Sequence, residues 1–434
     1  MNTHDASEAT RVRWQRDTPV NVGPILTYNS LFLATLSTVG LAFAVVRFCS
    51  PLGKFSAMNN AYAWGIWKTF NVMTLTALGS APLGVGIAEW VFRRHRLHAV
   101  MRTAVLSGFL IYATGLMGLA FDVGRAWNFW NILLPWRWNR GSAMLEISVC
   151  MPLYCVVFLL FELIPLCLER LESTGSPRTR ANLIALEPAV HKVYPFLLTC
   201  VYVVPLMHQS SLGGLLLLLG NKIHPLWQTP FLPLLYLLAA MLCGIAFVTV
   251  LLLVACLHYG RPVDIVILRD LGEVLSWVSF VFLVLRFADL LWRKQLAAAF
   301  AFDAMSLLFL LETGLILVPA VVLRLTIARQ TPRGLFLLCT LSCSGGLLYR
   351  YIPTTIAFFP APNAVYFPSV IELLMSVGYA ALSILGFVLG AKFFSVLPGI
   401  VNHPSDTAFR SIPRRRTALF AKGRTRWLGL RLTR

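Results

Sequence analysis

Charge is scarce in this chain, and acid is scarcer than base. Of 434 residues 13% are charged, and 18 are Asp or Glu against 37 Lys or Arg. A soluble globular domain is about a quarter charged, so a soluble enzyme is excluded. With 58% hydrophobic residues, a disordered chain is excluded as well. The nine cysteines are dispersed and form no CxxC, so the short thiolate spacings of iron–sulfur and structural zinc sites are missing. Cys339 and Cys343 share a helix face and read as small apolar residues of a bundle. None of the eight histidines is expected at mid-membrane, and no two helices are expected to present a facing pair at matched depth. Bis-histidine ligation of haem is therefore not expected. The first 25 residues contain no apolar stretch before a small-residue cleavage site and no twin arginine, so no removable signal peptide is expected.

What the chain does contain is apolar runs, with a mean hydropathy of +0.73. A membrane crossing takes about 20 apolar residues. Ten candidate helices fall at 26–48, 64–91, 99–121, 142–168, 189–207, 231–257, 271–291, 304–327, 334–358 and 369–397. The fold expected is an all-α integral membrane protein of about ten transmembrane helices. Residues 1–25 form an N-terminal arm, 26–397 the membrane domain and 398–434 a basic tail. A further run at 212–219 is too short to cross and is expected on the surface or partly re-entrant.

Basic residues set the orientation. With both termini cytoplasmic, 26 of the 37 Lys and Arg fall on the inner side, ten of them from Lys392 onward. A basic tail beside the last apolar run anchors at an anionic leaflet, so membrane lipids rather than nucleic acid are its expected partner. The expected location is a bacterial inner membrane. Eight of the twelve tryptophans fall on the outer side: Trp64, Trp67, Trp127, Trp130, Trp136, Trp138, Trp227 and Trp292. A lipid belt would fill both interfaces, so this bias points to an outer docking surface or an amphipathic-ligand site.

Ionisable residues lean the same way. Lys68, Glu146, Arg286, Asp289, Glu312, Arg350 and Glu372 belong to the expected outer half, and His208 to the outer end of the fifth helix. A charge in hydrocarbon costs about 3 kcal/mol or more, so each needs a partner, a cavity or water. Arg286 and Asp289, at i and i+3, either neutralise each other or serve a site. Glu312 stands about 12 Å down its helix, too deep to snorkel, and needs a partner or a proton. Glu146 and Glu162 mark the two ends of the fourth helix, about 24 Å apart and about 160° around it. They are either a proton relay or two separate ion-pair members, with Pro152 and Pro165 perturbing the helix between and around them.

Five outer segments go beyond hydropathy: Trp64-Gly65-Ile66-Trp67, Asp122-Val123-Gly124-Arg125-Ala126-Trp127-Asn128, Met207-His208-Gln209-Ser210-Ser211, His224-Pro225-Leu226-Trp227-Gln228 and Tyr366-Phe367-Pro368-Ser369-Val370-Ile371-Glu372. In this order the chain resembles the NrfD-type membrane subunits, and within them the HybB branch, from about residue 63 to 398. The resemblance implies two four-helix bundles with flanking helices, and no haem or iron–sulfur cluster in this chain. It implies exchange of electrons between the membrane quinone pool, menaquinone or ubiquinone, and a periplasmic ferredoxin-like iron–sulfur subunit. That subunit in turn serves a catalytic subunit, a hydrogenase or a sulfur oxidoreductase.

The family's quinone and proton-transfer positions map onto Asn71, Tyr112, Glu146 and His208. Trp64, Trp67, Asp122 and Arg125 complete the expected quinone site, and Glu146, Glu162 and Glu312 the proton-transfer set. Two positions depart from the HybB pattern: Asn71 replaces an aspartate and Leu251 a glutamate. An amide hydrogen-bonds a carbonyl but does not titrate, and leucine does neither. Transmembrane proton movement is therefore expected to be weak or absent. The expected function is a quinone-reactive subunit of a hydrogenase-type respiratory complex with local proton exchange. The alternatives are a subunit of a sulfur-compound redox complex and, more remotely, a secondary transporter.

Overall fold

A computed structural model of the chain describes residues 24–398, apart from 60, 63, 123–125, 140, 159–162, 263, 326–330 and 362–364. Apolar runs in a chain so poor in charge satisfy their backbone groups in hydrocarbon only by coiling into helices. Helix α1 spans Tyr28–Phe48 and opens on a reciprocal cap. The Thr27 hydroxyl accepts from the Ser30 amide at 3.2 Å, and the Ser30 hydroxyl accepts from the Thr27 amide at 2.8 Å. The second span is segmented into Ile66–Lys68, a π-helix over Thr69–Leu75, a short turn at Thr76–Gly79, and α2, Ala81–Trp90. Then follow α3 (His98–Asp122), α4 (Ala143–Phe158), α5 (Ile164–Thr174), α6 (Pro177–Leu217), α7 (Leu232–His258), α8 (Ile265–Trp292), α9 (Ala304–Val322), α10 (Pro332–Tyr351) and α11 (Val370–Phe393). Side-chain caps from Asp264, Asp303, Thr331 and Ser369 mark where four of the last helices start.

Among the described residues nine helical segments are long and apolar enough to cross a membrane, and Met144–Cys155 adds a shorter apolar helix. The chain is an all-α, multi-pass integral membrane protein. One of the expected boundaries changes. In the expected fourth span the structure describes α4 to Phe158 and α5 from Ile164, with Pro165 in the first turn of α5. The fifth span moves by ten residues. Helix α6 is 41 residues long, and its apolar window is Thr199–Leu217 rather than 189–207.

The run at 212–219 is therefore not a separate surface segment. Its residues to Leu217 continue α6, with Leu212 and Leu216 buried. The helix continues through the polar His208-Gln209-Ser210-Ser211, and the Ser211 hydroxyl donates back to the Met207 carbonyl at 2.7 Å. His208 consequently sits near the middle of a span, not at its outer end.

The helices pack as two groups of four. The π-helix with α2, α3, α4 and α6 surround one interior, and α7 to α10 surround the other. Helix α7 packs on both α6 and α2, joining the groups, while α1 and α11 pair and lean on α3. Lys392 Nζ donates to the Pro24 carbonyl at 2.6 Å, so the start of α1 and the end of α11 share one end of the protein. Arg94 ties the two groups at that end, to Asp270 at 3.4 Å and Glu273 at 3.0 Å. The opposite end is closed by connections: His224 N–H donates to the Ala357 carbonyl (2.9 Å) and Phe359 N–H to the Lys222 carbonyl (2.7 Å). Leu251 packs against the apolar cluster of Leu106, Ala255, Phe387, Ala391 and Leu397.

Candidate functional site

Buried polar side chains lie in the interior of the first bundle. Tyr112 comes from α3, His208 and Gln209 from α6, Tyr154 from α4 and Asn71 from the π-helix, and each is almost wholly removed from solvent. Gln209 Nε2 donates to the Tyr112 hydroxyl at 2.7 Å and to the Thr76 carbonyl at 3.1 Å. A carbonyl only accepts, so this contact fixes which end of the amide is nitrogen. The His208 ring stands edge-on to Tyr112 at 5.5 Å, and the Tyr154 ring at 4.5 Å.

The π-helix explains the position of Asn71. Widening the turn shifts the face that a residue presents and releases carbonyls from the α-ladder, a feature frequent at functional sites. Two glycines make room. A Cβ at Gly79 would lie 2.7 Å from the Tyr112 ring, and one at Gly118 would lie 2.6 Å from Asn71 Nδ2. Both amide atoms of Asn71, both ring nitrogens of His208 and Gln209 Oε1 are buried without a hydrogen-bond partner. Buried polar atoms are nearly always satisfied, so these are available to a polar ligand or to water.

The second bundle holds a different kind of polar centre. Arg286 on α8 pairs with Glu312 on α9, both buried, and Trp227 Nε1 donates to the other Glu312 oxygen at 2.8 Å. The guanidinium also lies over Phe309 at 4.4 Å and Tyr349 at 4.7 Å. Asp289 does not neutralise Arg286. It accepts from Thr229 at 2.7 Å and from Arg293 Nη2 at 2.6 Å, because at i+4 Arg293 reaches it in a forked geometry that Arg286 does not offer.

Two of the motifs meet at the His224 end. Glu372 is buried and accepts from the Ala57 amide at 2.6 Å and from the Tyr366 hydroxyl, which itself accepts from the Ile66 amide at 2.5 Å. Burial and the Glu372 carboxylate push the Tyr366 phenol pKa up, so it stays a donor. Trp64 Nε1 donates to the Thr354 carbonyl at 2.9 Å. These contacts seat the residues that lead into the π-helix. The tryptophans of this end divide accordingly: Trp227 is buried, while Trp127, Trp130, Trp136 and Trp292 are exposed.

Of the expected site residues, Asn71, Tyr112 and His208 all lie in the first-bundle interior. Glu146 is in the first turn of α4 and exposed on the surface of the chain, not buried as expected, because α4 turns that face outward. Trp64 belongs to the closing contacts and Glu312 to the second bundle. Arg125 and Glu162 lie outside the described residues, as do the side chains of Trp67 and Asp122. Gln209 lies within one of the motifs and Arg350 among the outer-half charges, but neither is expected in the site from the sequence pattern. The signal available for Gln209 was a second unsplit polar residue beside His208 in an apolar window.

The chain matches the family model described as polysulphide reductase, NrfD, over residues 54–358. It is 32% identical to the probable Ni/Fe-hydrogenase 2 b-type cytochrome subunit of Escherichia coli over 379 residues, 87% of this chain and 94% of that protein. It is 25% identical to the menaquinone reductase integral membrane subunit of Nitratidesulfovibrio vulgaris over 370 residues, 79% of this chain and 85% of that protein. A b-type haem takes two axial ligands, and the first relative's name raises that possibility here. Among the described residues His208 is the one histidine near the middle of a span. From the family match over most of its length, the chain belongs to the NrfD family of integral membrane proteins.

Proposed function

We propose that the chain is the quinone-reactive membrane subunit of a multi-subunit respiratory oxidoreductase of the hydrogenase type. It passes electrons between a periplasmic ferredoxin-like iron–sulfur subunit and the quinone pool of a bacterial inner membrane, with both termini cytoplasmic. The observation that carries this proposal is the set of unpartnered, buried polar atoms on His208 and Gln209, both against Tyr112, with the unpartnered Asn71 amide in the same bundle. The relatives' names support it, one being a hydrogenase subunit and the other a menaquinone reductase subunit.

A quinone head needs donors at its carbonyls, and its reduction consumes two electrons and two protons. Asn71 Nδ2 and a His208 N–H are free to donate to the carbonyls, and Tyr112 and His208 are able to exchange protons with the ring oxygens. The electrons come from the partner subunit, which in turn is served by the hydrogenase or sulfur oxidoreductase. Glu146, on the surface of α4, exchanges protons with the exterior, and Glu162 takes part only if protons cross the membrane. Glu312, engaged on both oxygens, holds Arg286 and Trp227 in place, so its part in proton transfer is indirect. The apolar cluster around Leu251 disfavours proton passage across the membrane. No haem takes part; a stoichiometric Soret band in the purified subunit would sink that element.

The decisive experiment is quinone-dependent turnover of the complex in membranes, with assembly followed on native gels. Tyr112→Phe and His208→Gln should each lose about a hundredfold while assembling normally. Wild-type turnover in both would refute the site. The family's description as polysulphide reductase favours one further reading, a sulfur-compound redox complex with the same quinone site. Co-purification in mild detergent with metal analysis separates the two, because only a hydrogenase brings down nickel.

A further inference from the structure

Arg350 on α10 stands where the two bundles meet, and its guanidinium is wholly buried. Nε donates to the Met73 carbonyl in the π-helix at 2.6 Å, and Nη1 to the Tyr236 carbonyl on α7 at 2.8 Å. The guanidinium lies over the Tyr236 ring at 4.6 Å, and Nη2 has no partner. Arg286, also buried, has Glu312 as its counter-ion. Among the described residues no carboxylate lies within ion-pair reach of Arg350. The titratable groups around it are Tyr236 and Cys243 of α7, Tyr349 of its own helix and Tyr112 of α3, and its field also reaches His208 of α6. A buried cation that neutral carbonyls alone hold is costly, and its uncompensated field favours any negative charge that forms nearby.

We propose that Arg350 is a positioning residue for the first-bundle site. Through the Met73 carbonyl it fixes the π turn that carries Asn71, and its charge stabilises the quinone head once an electron has arrived and before the proton follows. This rests on the quinone function proposed above. The electron comes from the iron–sulfur partner and the proton from the Tyr112–His208 group. Arg350 neither gains nor loses either. A mere staple between the bundles would make the same two hydrogen bonds but would need no charge.

The test compares Arg350→Lys and Arg350→Gln in the assembled complex in native membranes, with a soluble naphthoquinone as probe and rates taken from neutral to alkaline pH. Arg350→Gln keeps donors but no charge and should lose about tenfold or more in kcat with KM little changed. Arg350→Lys keeps the charge at neutral pH and should retain turnover there. Lysine, unlike arginine, can surrender its proton when buried, so that turnover should fall as pH rises, a limb the wild type lacks. A lysine variant whose profile parallels the wild type overturns the proposal, as does wild-type turnover in Arg350→Gln. If the glutamine variant does not assemble, the lysine profile decides alone. If neither assembles, Arg350 is a structural staple and the proposal falls. Tyr112→Phe in the same assay separates the failures. Loss there with normal Arg350 variants rejects this inference only, whereas no effect there rejects the quinone site itself.

Discussion

Gln209 Nε2 donates to the Tyr112 hydroxyl at 2.7 Å while holding the Thr76 carbonyl at 3.1 Å, so one amide sets the polarity of the buried phenol. Tyr112 accepts on that side, and its own proton is free to point away from Gln209. Ser80 lies beside the phenol and bonds the same Thr76 carbonyl at 3.0 Å, so the group is tied to the turn after the π-helix.

Reversing that polarity is the most direct check. Gln209→Glu places acceptors against both the phenol and the Thr76 carbonyl, whereas Gln209→Leu removes the contact. Each should lower quinone-dependent turnover about tenfold with the complex still assembled. Equal turnover in all three forms would show that Gln209 only packs.

Removing one partner of the second-bundle ion pair should unfold that bundle more easily. Glu312→Leu leaves Arg286 buried without its counter-ion, at an expected cost of about 3–5 kcal/mol. The double variant Arg286→Met with Glu312→Leu should regain most of that loss. Melting temperatures in detergent measure both. A single variant as stable as the double would mean that the pair contributes no coupling.

Glu146 and Glu162 can be separated by function and stability together. An exposed acid in a first helical turn contributes at most about 1 kcal/mol, so Glu146→Gln should melt near the wild-type temperature. Its quinone-coupled turnover should nonetheless be lost, and Glu162→Gln should be milder. Normal turnover in Glu146→Gln would assign the carboxylate to the helix end alone.

Sidedness is open to labelling in a background freed of native cysteines. Val365, 78% exposed at the His224 end, should react as cysteine with an impermeant maleimide from the periplasm. Arg96→Cys, exposed at the opposite end, should react only from the cytoplasm. The reverse pattern would invert the orientation and move the site to the wrong face.

The helical architecture was legible because a span writes itself into consecutive residues. The boundary of α6 was not. A window of hydropathy treats His208, Gln209, Ser210 and Ser211 as an ending, although His208, Gln209 and Ser211 are buried inside the bundle. The segmentation of the second span was not legible, since 64–91 reads as one apolar run. That its start is a π-helix depends on what packs against it.

Composition and order of apolar residues thus determined, without any contact, that this chain crosses a membrane many times with its sparse charges held back for specific places. Which charges meet was decided by the tertiary structure alone. Arg286 and Asp289 are three residues apart, yet Arg286 pairs with Glu312 on another helix, and Asp289 with Arg293 and Thr229. Arg350 reaches a carbonyl 277 residues earlier in the chain. The reason is geometric. Hydropathy and helical period are properties of neighbours in sequence, whereas a buried polar group is satisfied by whichever helix the packing brings to it.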